Sequence, residues 1–331
     1  MKAIKLVGNS DLHMELLDVK DPELKKDQCL VKVKAASLNR RDFWITVGKY
    51  PKIKNDVILG SDGSGEVVEG PKDWVGKKVI INPNIGWGDN PEVQDKEYEI
   101  LGMPKNGTLA EYIAIDLDRL VEKPEFLNYS EAACFPLAGL TAYRACFAKG
   151  GIKEKSKVLV TGIGGGVAQF ALSFCKAVGA EVYVTSSSSE KISAAVTDGA
   201  NGGFNYKSDD WVKVAKKEAD SFDVIIDSSG GNLVDKYLKV VKPGGRIVIY
   251  GASAGRSEGF DLPRLFWSQA SIIGSSMGND QEFYEMVAFI NKHKIKPIID
   301  KEFPMNEYQN AFRRFVDKDH FGKVVIIPGD F

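Results

Sequence analysis

The stretch Val158–Ala168 reads VLVTGIGGGVA: an apolar strand, a glycine-rich turn at Gly162, Gly164, Gly165 and Gly166, then a helix. The helix is marked by Val167, Phe170, Ala171, Phe174, Cys175 and Val178, which recur at i, i+3 and i+4. Glycines at such a turn let backbone amides approach a pyrophosphate, and the helix N-terminus adds the positive end of its dipole. Ala168 stands where the last small residue of a G-x-G-x-x-G/A turn falls, counted from Gly162 with one extra residue. Gly162, Gly165, Gly166 and Val167 are therefore candidate contacts for a dinucleotide. The alternative for the same residues is a tight strand–helix turn that holds no ligand. Context favours the cradle. Further strands are expected at Glu181–Thr185, Gly203–Tyr206, Phe222–Asp227, Arg246–Tyr250 and Ser271–Gly274, with helices at Ser189–Asp198, Asp209–Glu218 and Leu233–Val241. Six strands alternating with helices imply right-handed crossovers and a doubly wound parallel sheet, an α/β fold.

The first third has a different texture. Lys2–Leu6, Leu30–Ala35, Gly65–Glu69, Lys78–Asn82 and Leu109–Ile115 are short β-rich runs broken by Gly, Pro, Asn or Asp, and they predict a β-rich domain. Helices at Gln281–His293 and Tyr308–Asp317 and a strand at Lys323–Ile327 close the chain. Two domains are the default for 331 residues. Lys and Arg total 44 against 45 Asp and Glu, a net charge of -1 that offers no global pull toward nucleic acid or an anionic membrane. The longest weakly polar stretch, Ala132–Ala148, is interrupted by Pro136 and Arg144 and is not expected to span a bilayer. Charge near the N-terminus leaves no signal-peptide core, and four scattered cysteines suit reduced thiols, so the cytoplasm is the expected compartment.

The tip of the second strand of the α/β region bears on which dinucleotide binds. A carboxylate there would favour NAD through the ribose hydroxyls. This chain has Thr185-Ser-Ser-Ser-Ser189 followed by Glu190 and Lys191. Hydroxyls such as Ser187 with Lys191 suit a 2′-phosphate. The same residues also spell a capping box, Ser187-x-x-Glu190, at the start of the next helix.

Seven ordered blocks resemble the medium-chain dehydrogenase/reductase superfamily, and in particular its zinc-free quinone-reductase-like branch. They are KVKAASLNRRDFWITVGKYP, ILGSDGSGEVVEG, GTLAEYIAI, AACFPLAGLTAYRA, VLVTGIGGGVA, KPGGRIVIYG and HFGKVVI. The resemblance implies a GroES-like catalytic domain, residues 1–123 with 278–331, and a Rossmann domain, residues 124–277. It also implies that Lys191 and Tyr206 contact the adenosine phosphate of NADPH. Thr141, Ser228, Gly251, Met277, Gly278, Gly322 and Lys323 match positions lining the nicotinamide and pyrophosphate. Zinc-dependent members place ligands at three positions, occupied here by Asn39, Ser61 and Leu137. Asn and Ser are poor zinc ligands and Leu is none, so no metal is expected.

Without a Lewis acid, a substrate whose own π-system accepts hydride is favoured: a quinone or an α,β-unsaturated carbonyl. Asn39 is a candidate hydrogen-bond donor to the carbonyl oxygen, and Tyr50 a donor of a bond or proton. Asp42 is a candidate that serves equally well by orienting Arg40 or Arg41. Trp44, where the branch has Tyr, and Phe266 are read as apolar walls or core. The alternatives are a zinc-free carbonyl or alcohol oxidoreductase, an enoyl-thioester reductase, and a non-enzymatic NADPH-binding redox sensor. The resemblance further implies a homodimer formed by pairing the edge strand Ser271–Gly274 across a twofold axis.

Overall fold

The computed structural model describes residues 1–8, 11–317 and 320–329. Contacts divide the chain into two compact units, Met1–Ala138 with Asn279–Phe331, and Gly139–Gly278.

The second unit carries a six-stranded sheet, all of whose pairings are parallel. Lys157–Val160 lies inside, flanked on one side by Glu181–Ser186 and then Gly202–Asn205. On the other side come Phe222–Asp227, Val241–Ile249 and Ser271–Gly274. Strand order therefore reverses beside Lys157–Val160, the point where doubly wound sheets bind ligands. Val158, Leu159, Val160, Ile225 and Ile226 are fully or almost fully buried, as expected of strands covered on both faces. The helix expected over Leu233–Val241 ends at Leu238. Val241 instead opens the fifth strand, and the Val240 carbonyl accepts from Phe222 N at 2.9 Å. Pro243, Gly244 and Gly245 cannot extend a helix, and the neighbouring strand captures the preceding backbone.

The first unit is built on a seven-stranded sheet. Its order is Ile299–Pro304, Lys323–Ile327, Gln28–Ser37, Asp62–Glu69, Lys78–Ile81 and Leu120–Glu122, with Tyr112–Asp116 also pairing with Gln28–Ser37. Val31, Val33, Leu59, Val79, Ile81, Phe312, Val324 and Ile326 form its core. The strands Met14–Asp18 and Ile299–Pro304 lay outside the sequence expectation. The second carries Asp300, Lys301 and Glu302 and sits at a sheet edge, so its composition hides its conformation.

The division falls at Ala138–Gly139 and Gly278–Asn279, against the expected 123/124 and 277/278. The physical reason lies in helix Tyr129–Ala133, which packs on strands Gln28–Ser37 and Asp62–Glu69. Ser64 Oγ donates to Tyr129 O at 2.6 Å, and Leu137 N donates to Asp62 Oδ1 at 2.8 Å. Among the described residues no helix is long and apolar enough to cross a membrane.

Gly322 precedes strand Lys323–Ile327 at φ +111°, and a Cβ there would collide with the Ile298 carbonyl oxygen. Gly322→Ala should therefore destabilise the fold by about 2 kcal/mol or more, seen as a lower urea midpoint at unchanged m-value.

Candidate functional site

In the second unit, the glycine turn lies at the C-terminal end of strand Lys157–Val160. Gly162 has φ +67°, and a Cβ there would stand 2.5 Å from Ser228 Oγ. Gly165 is the N-cap of helix Gly166–Ala177 and supplies no side-chain cap. The amides of the first helical turn, beginning with Gly166 and Val167, are thus left for an external acceptor. Gln169, one turn in, donates from Nε2 to Ile163 O at 2.6 Å and braces the turn.

Asp227, at the end of the fourth strand, ties this turn to its neighbour. Its Oδ1 accepts from Thr161 Oγ1 at 2.7 Å and Ser229 N at 3.0 Å, while Oδ2 accepts from Gly230 N at 2.8 Å. Ser228 N donates to Thr161 Oγ1 at 3.0 Å, and a Cβ on Gly251 would lie 2.9 Å from Ser228 O. Gly162, Ser228 and Gly251 are therefore brought together, with Asp227 beneath them. Sequence reasoning missed Asp227; an acidic residue ending an apolar strand before Ser-Ser-Gly-Gly was the available signal. Thr141 and Met277 meet elsewhere in the unit, Oγ1 to Sδ at 3.8 Å, with Met277 held at φ +47° and followed by the buried Gly278. The cradle fits a dinucleotide diphosphate: two of its glycines leave no room for a Cβ, and its helix N-terminus is uncapped.

At the second strand's tip, the helix starts one residue later than the predicted capping box requires. Ser188 is the N-cap, accepting from Lys191 N at 3.2 Å, and its Oγ pairs with Glu190 Oε2 at 2.5 Å. Ser187 is exposed and outside that cap. Tyr206 N donates to Ser186 O at 3.1 Å and Asn205 Nδ2 to Ser187 O at 3.4 Å, so Ser187, Lys191 and Tyr206 gather at one strand end. Phe266 is 63% exposed, so it is not core.

The first unit holds a buried polar cluster at the start of helix Arg40–Thr46. Asn39 is 6% exposed; its Nδ2 donates to Asp62 Oδ2 at 2.9 Å, and its Oδ1 accepts from Lys323 Nζ at 2.7 Å. Lys323 Nζ also donates to Leu38 O at 2.9 Å and pairs with Asp62 Oδ2 at 3.3 Å. The lysine expected to line the cofactor thus spends its ammonium hydrogens inside this unit. Burial pushes the Asp62 carboxyl up to about 6, with Lys323 and the Asn39 amide opposing. Asp42 is fully buried, accepts from Asn39 N at 2.7 Å through Oδ2, and is raised by burial with Arg41 opposing. Its Oδ1 has no hydrogen-bond partner among the described residues.

Arg41 is buried beside them. It donates to Leu101 O at 2.8 Å, Met103 O at 3.2 Å, Ser61 Oγ, and Tyr50 Oη at 3.2 Å, with its guanidinium 4.9 Å from the Tyr50 ring centre. Arg40 turns away, donating to Phe315 O at 3.0 Å. Asn39 joins Asp42, Asp62 and Lys323, while Tyr50 joins Arg41 and Ser61; the Arg41 charge acting on Asp42 links the two groups, and half-buried Trp44 shares their helix. Sequence reasoning gave Asp62 no role.

Residues 25–125 match the family described as alcohol dehydrogenase GroES-like domain, and residues 166–292 the family described as zinc-binding dehydrogenase. A relative from Leptosphaeria maculans, named zinc-type alcohol dehydrogenase-like protein YogA, is 37% identical over 95% of this chain and 94% of its own. The 2-methylene-furan-3-one reductase of Solanum lycopersicum is 31% identical over 97% of this chain and 77% of its own. A crystal structure of an NAD-dependent alcohol dehydrogenase superposes with a TM-score of 0.93 at 32% identity, covering 99% of this chain and 100% of that one.

The donor set does not fit a zinc ion. An ammonium already sits 2.7 Å from Asn39 Oδ1, Ser61 Oγ donates to Leu101 O at 2.8 Å, and Leu137 offers only its backbone to Asp62. Among the described residues no three His, Cys, Asp or Glu converge.

Gly162→Ala should lower dinucleotide affinity at least about tenfold, ~1.4 kcal/mol, because its Cβ displaces Ser228 and the turn. Fluorescence titration of the reduced dinucleotide reads this directly.

Proposed function

Because this chain belongs to the medium-chain dehydrogenase/reductase superfamily, a family of oxidoreductases, we propose that it reduces a quinone or an α,β-unsaturated carbonyl with NADPH and without catalytic zinc. The observation that carries this reading is the Asn39 amide clamped between Lys323 and Asp62, where zinc-dependent members hold their metal. Such a site offers hydrogen bonds rather than a Lewis acid. Bound NADPH supplies a hydride. A conjugated acceptor would take it at the β-carbon and collect charge on its carbonyl oxygen, which a neutral donor stabilises until a proton from water or a weak acid completes the reduction. The donors are the second hydrogen of Asn39 Nδ2 and the Tyr50 hydroxyl, itself oriented by Arg41. Asp42 fixes the Asn39 backbone. The enone named in the tomato relative agrees with this chemistry.

Selection of NADPH is supported by Ser187, Lys191 and Tyr206 at a strand tip without a carboxylate, Glu190 being turned to Ser188. A second reading, a zinc-free carbonyl or alcohol oxidoreductase using NADH, draws on the name of the similar crystal structure. Four buried free thiols suit a reducing cytoplasm. We also infer a homodimer: Ser271–Gly274 is a partly exposed sheet edge, preceded by a helix whose Leu262, Phe266 and Trp267 are 60%, 63% and 81% exposed.

Absorbance assays should show NADPH consumed with enones or quinones, unaffected by chelators, and at most slowly with saturated ketones. Lys191→Ala should raise the KM for NADPH about tenfold and leave that for NADH nearly unchanged. Preferential turnover of saturated ketones with NADH would favour the second reading. Light scattering should give twice the monomer mass; a monomer would remove the dimer.

A further inference from the structure

The identity of each end of the Asn39 amide is fixed by what faces it. A lysine ammonium only donates, so the group 2.7 Å from Nζ is the carbonyl oxygen. A carboxylate only accepts when ionised, so the group 2.9 Å from Asp62 Oδ2 is the amide nitrogen. Asp62 is held in turn by Leu137 N, and Lys323 by Leu38 O. One Nδ2 hydrogen goes to Asp62; the other is directed by the same plane.

We propose that Lys323 and Asp62 are positioning residues: together they lock the Asn39 amide so that it presents N–H, never C=O, to the oxygen of the acceptor. This rests on the enone-reductase reading and gives Lys323 a role other than the cofactor contact its sequence position implied. The lock also polarises the amide, since a cation on Oδ1 strengthens the remaining N–H as a donor. Without Lys323 only Asp62 selects the nitrogen end, so the flipped amide gains population, and its Oδ1 would repel the charge developing on the substrate.

The lock depends on pH. Asp62 faces Lys323 from strand Lys323–Ile327, Asp42 from helix Arg40–Thr46, with Arg41 of that helix acting on Asp42, and the Cys134 thiol following helix Tyr129–Ala133. Burial lifts the Cys134 thiol to about 12, so it stays neutral. Asp62 titrates at about 6; below that its carboxyl gains a proton and ceases to pair with Lys323, so the lock loosens as pH falls.

The experiment compares wild type, Lys323→Met, Lys323→Arg and Asp62→Asn. Lys323→Met should lower kcat about 10- to 100-fold with the NADPH dissociation constant unchanged, and Lys323→Arg should recover most of the loss. Wild-type kcat should fall below pH about 6, and Asp62→Asn should abolish that acid limb. A raised NADPH dissociation constant with kcat intact in Lys323→Met would overturn the proposal in favour of a cofactor contact. So would an unchanged acid limb in Asp62→Asn. If no enone or quinone is turned over by wild type, the enone reading fails by itself. The lock is then decided by NMR of asparagine-labelled protein: Asn39 Nδ2 protons protected from solvent exchange in wild type and exchanging much faster in Lys323→Met support it, and equal exchange rates in both refute it.

Discussion

An ion pair out of reach of water, Asp62 with Lys323 at 3.3 Å and side chains 0% and 4% exposed, sets the terms for the first unit. Taking two charges out of water costs several kcal/mol per ion, and attraction offsets this only when remaining donors and acceptors are satisfied. Here they are: Leu38 O, the Asn39 amide and Leu137 N complete the shell. The pair spans 261 residues of sequence. It stitches the C-terminal strand to the segment before helix Arg40–Thr46 and to the strand Asp62–Glu69. Arg41 and Asp42 bring the buried charges of this cluster to two of each sign.

The second unit solves a different problem with the same economy. A dinucleotide turn must approach phosphate closely and yet hold still. Gly162 gives up its Cβ for approach, and Asp227 supplies the stiffness, gathering Thr161, Ser229 and Gly230 across the point where strand order reverses. Gln169 adds a brace from the helix side. Removing a carboxylate that collects three donors would loosen both loops at once, although Asp227 itself need not touch a ligand.

Relatives at about one-third identity share the fold while the polar cluster decides the chemistry. Asn39, Ser61 and Leu137 stand at positions where metal ligands would need open lone pairs. In this chain those lone pairs already face Lys323 or Arg41, or do not exist. Under the proposed function, fixed dipoles of this cluster would stabilise the developing charge, which suits acceptors needing little polarisation.

The sequence by itself determined the parallel sheet and the glycine-rich turn between strand and helix, while Asn39, Asp42 and Tyr50 were singled out by the family resemblance of the segment that carries them. The sheet and the turn are written in local signals: apolar periodicity and missing Cβ atoms. Strands such as Ser271–Gly274 and Lys323–Ile327 were legible to the residue for that reason. Only the tertiary structure decided that Lys323 turns inward to Asn39, that Asp62 joins it, and that residues 124–138 pack with the first unit. It also moved the cap from Ser187 to Ser188 and turned Val241 from helix end to strand start. Partner choice across hundreds of residues depends on which backbones are brought side by side. A lysine reads the same in sequence whether its ammonium meets a phosphate, water or a buried amide.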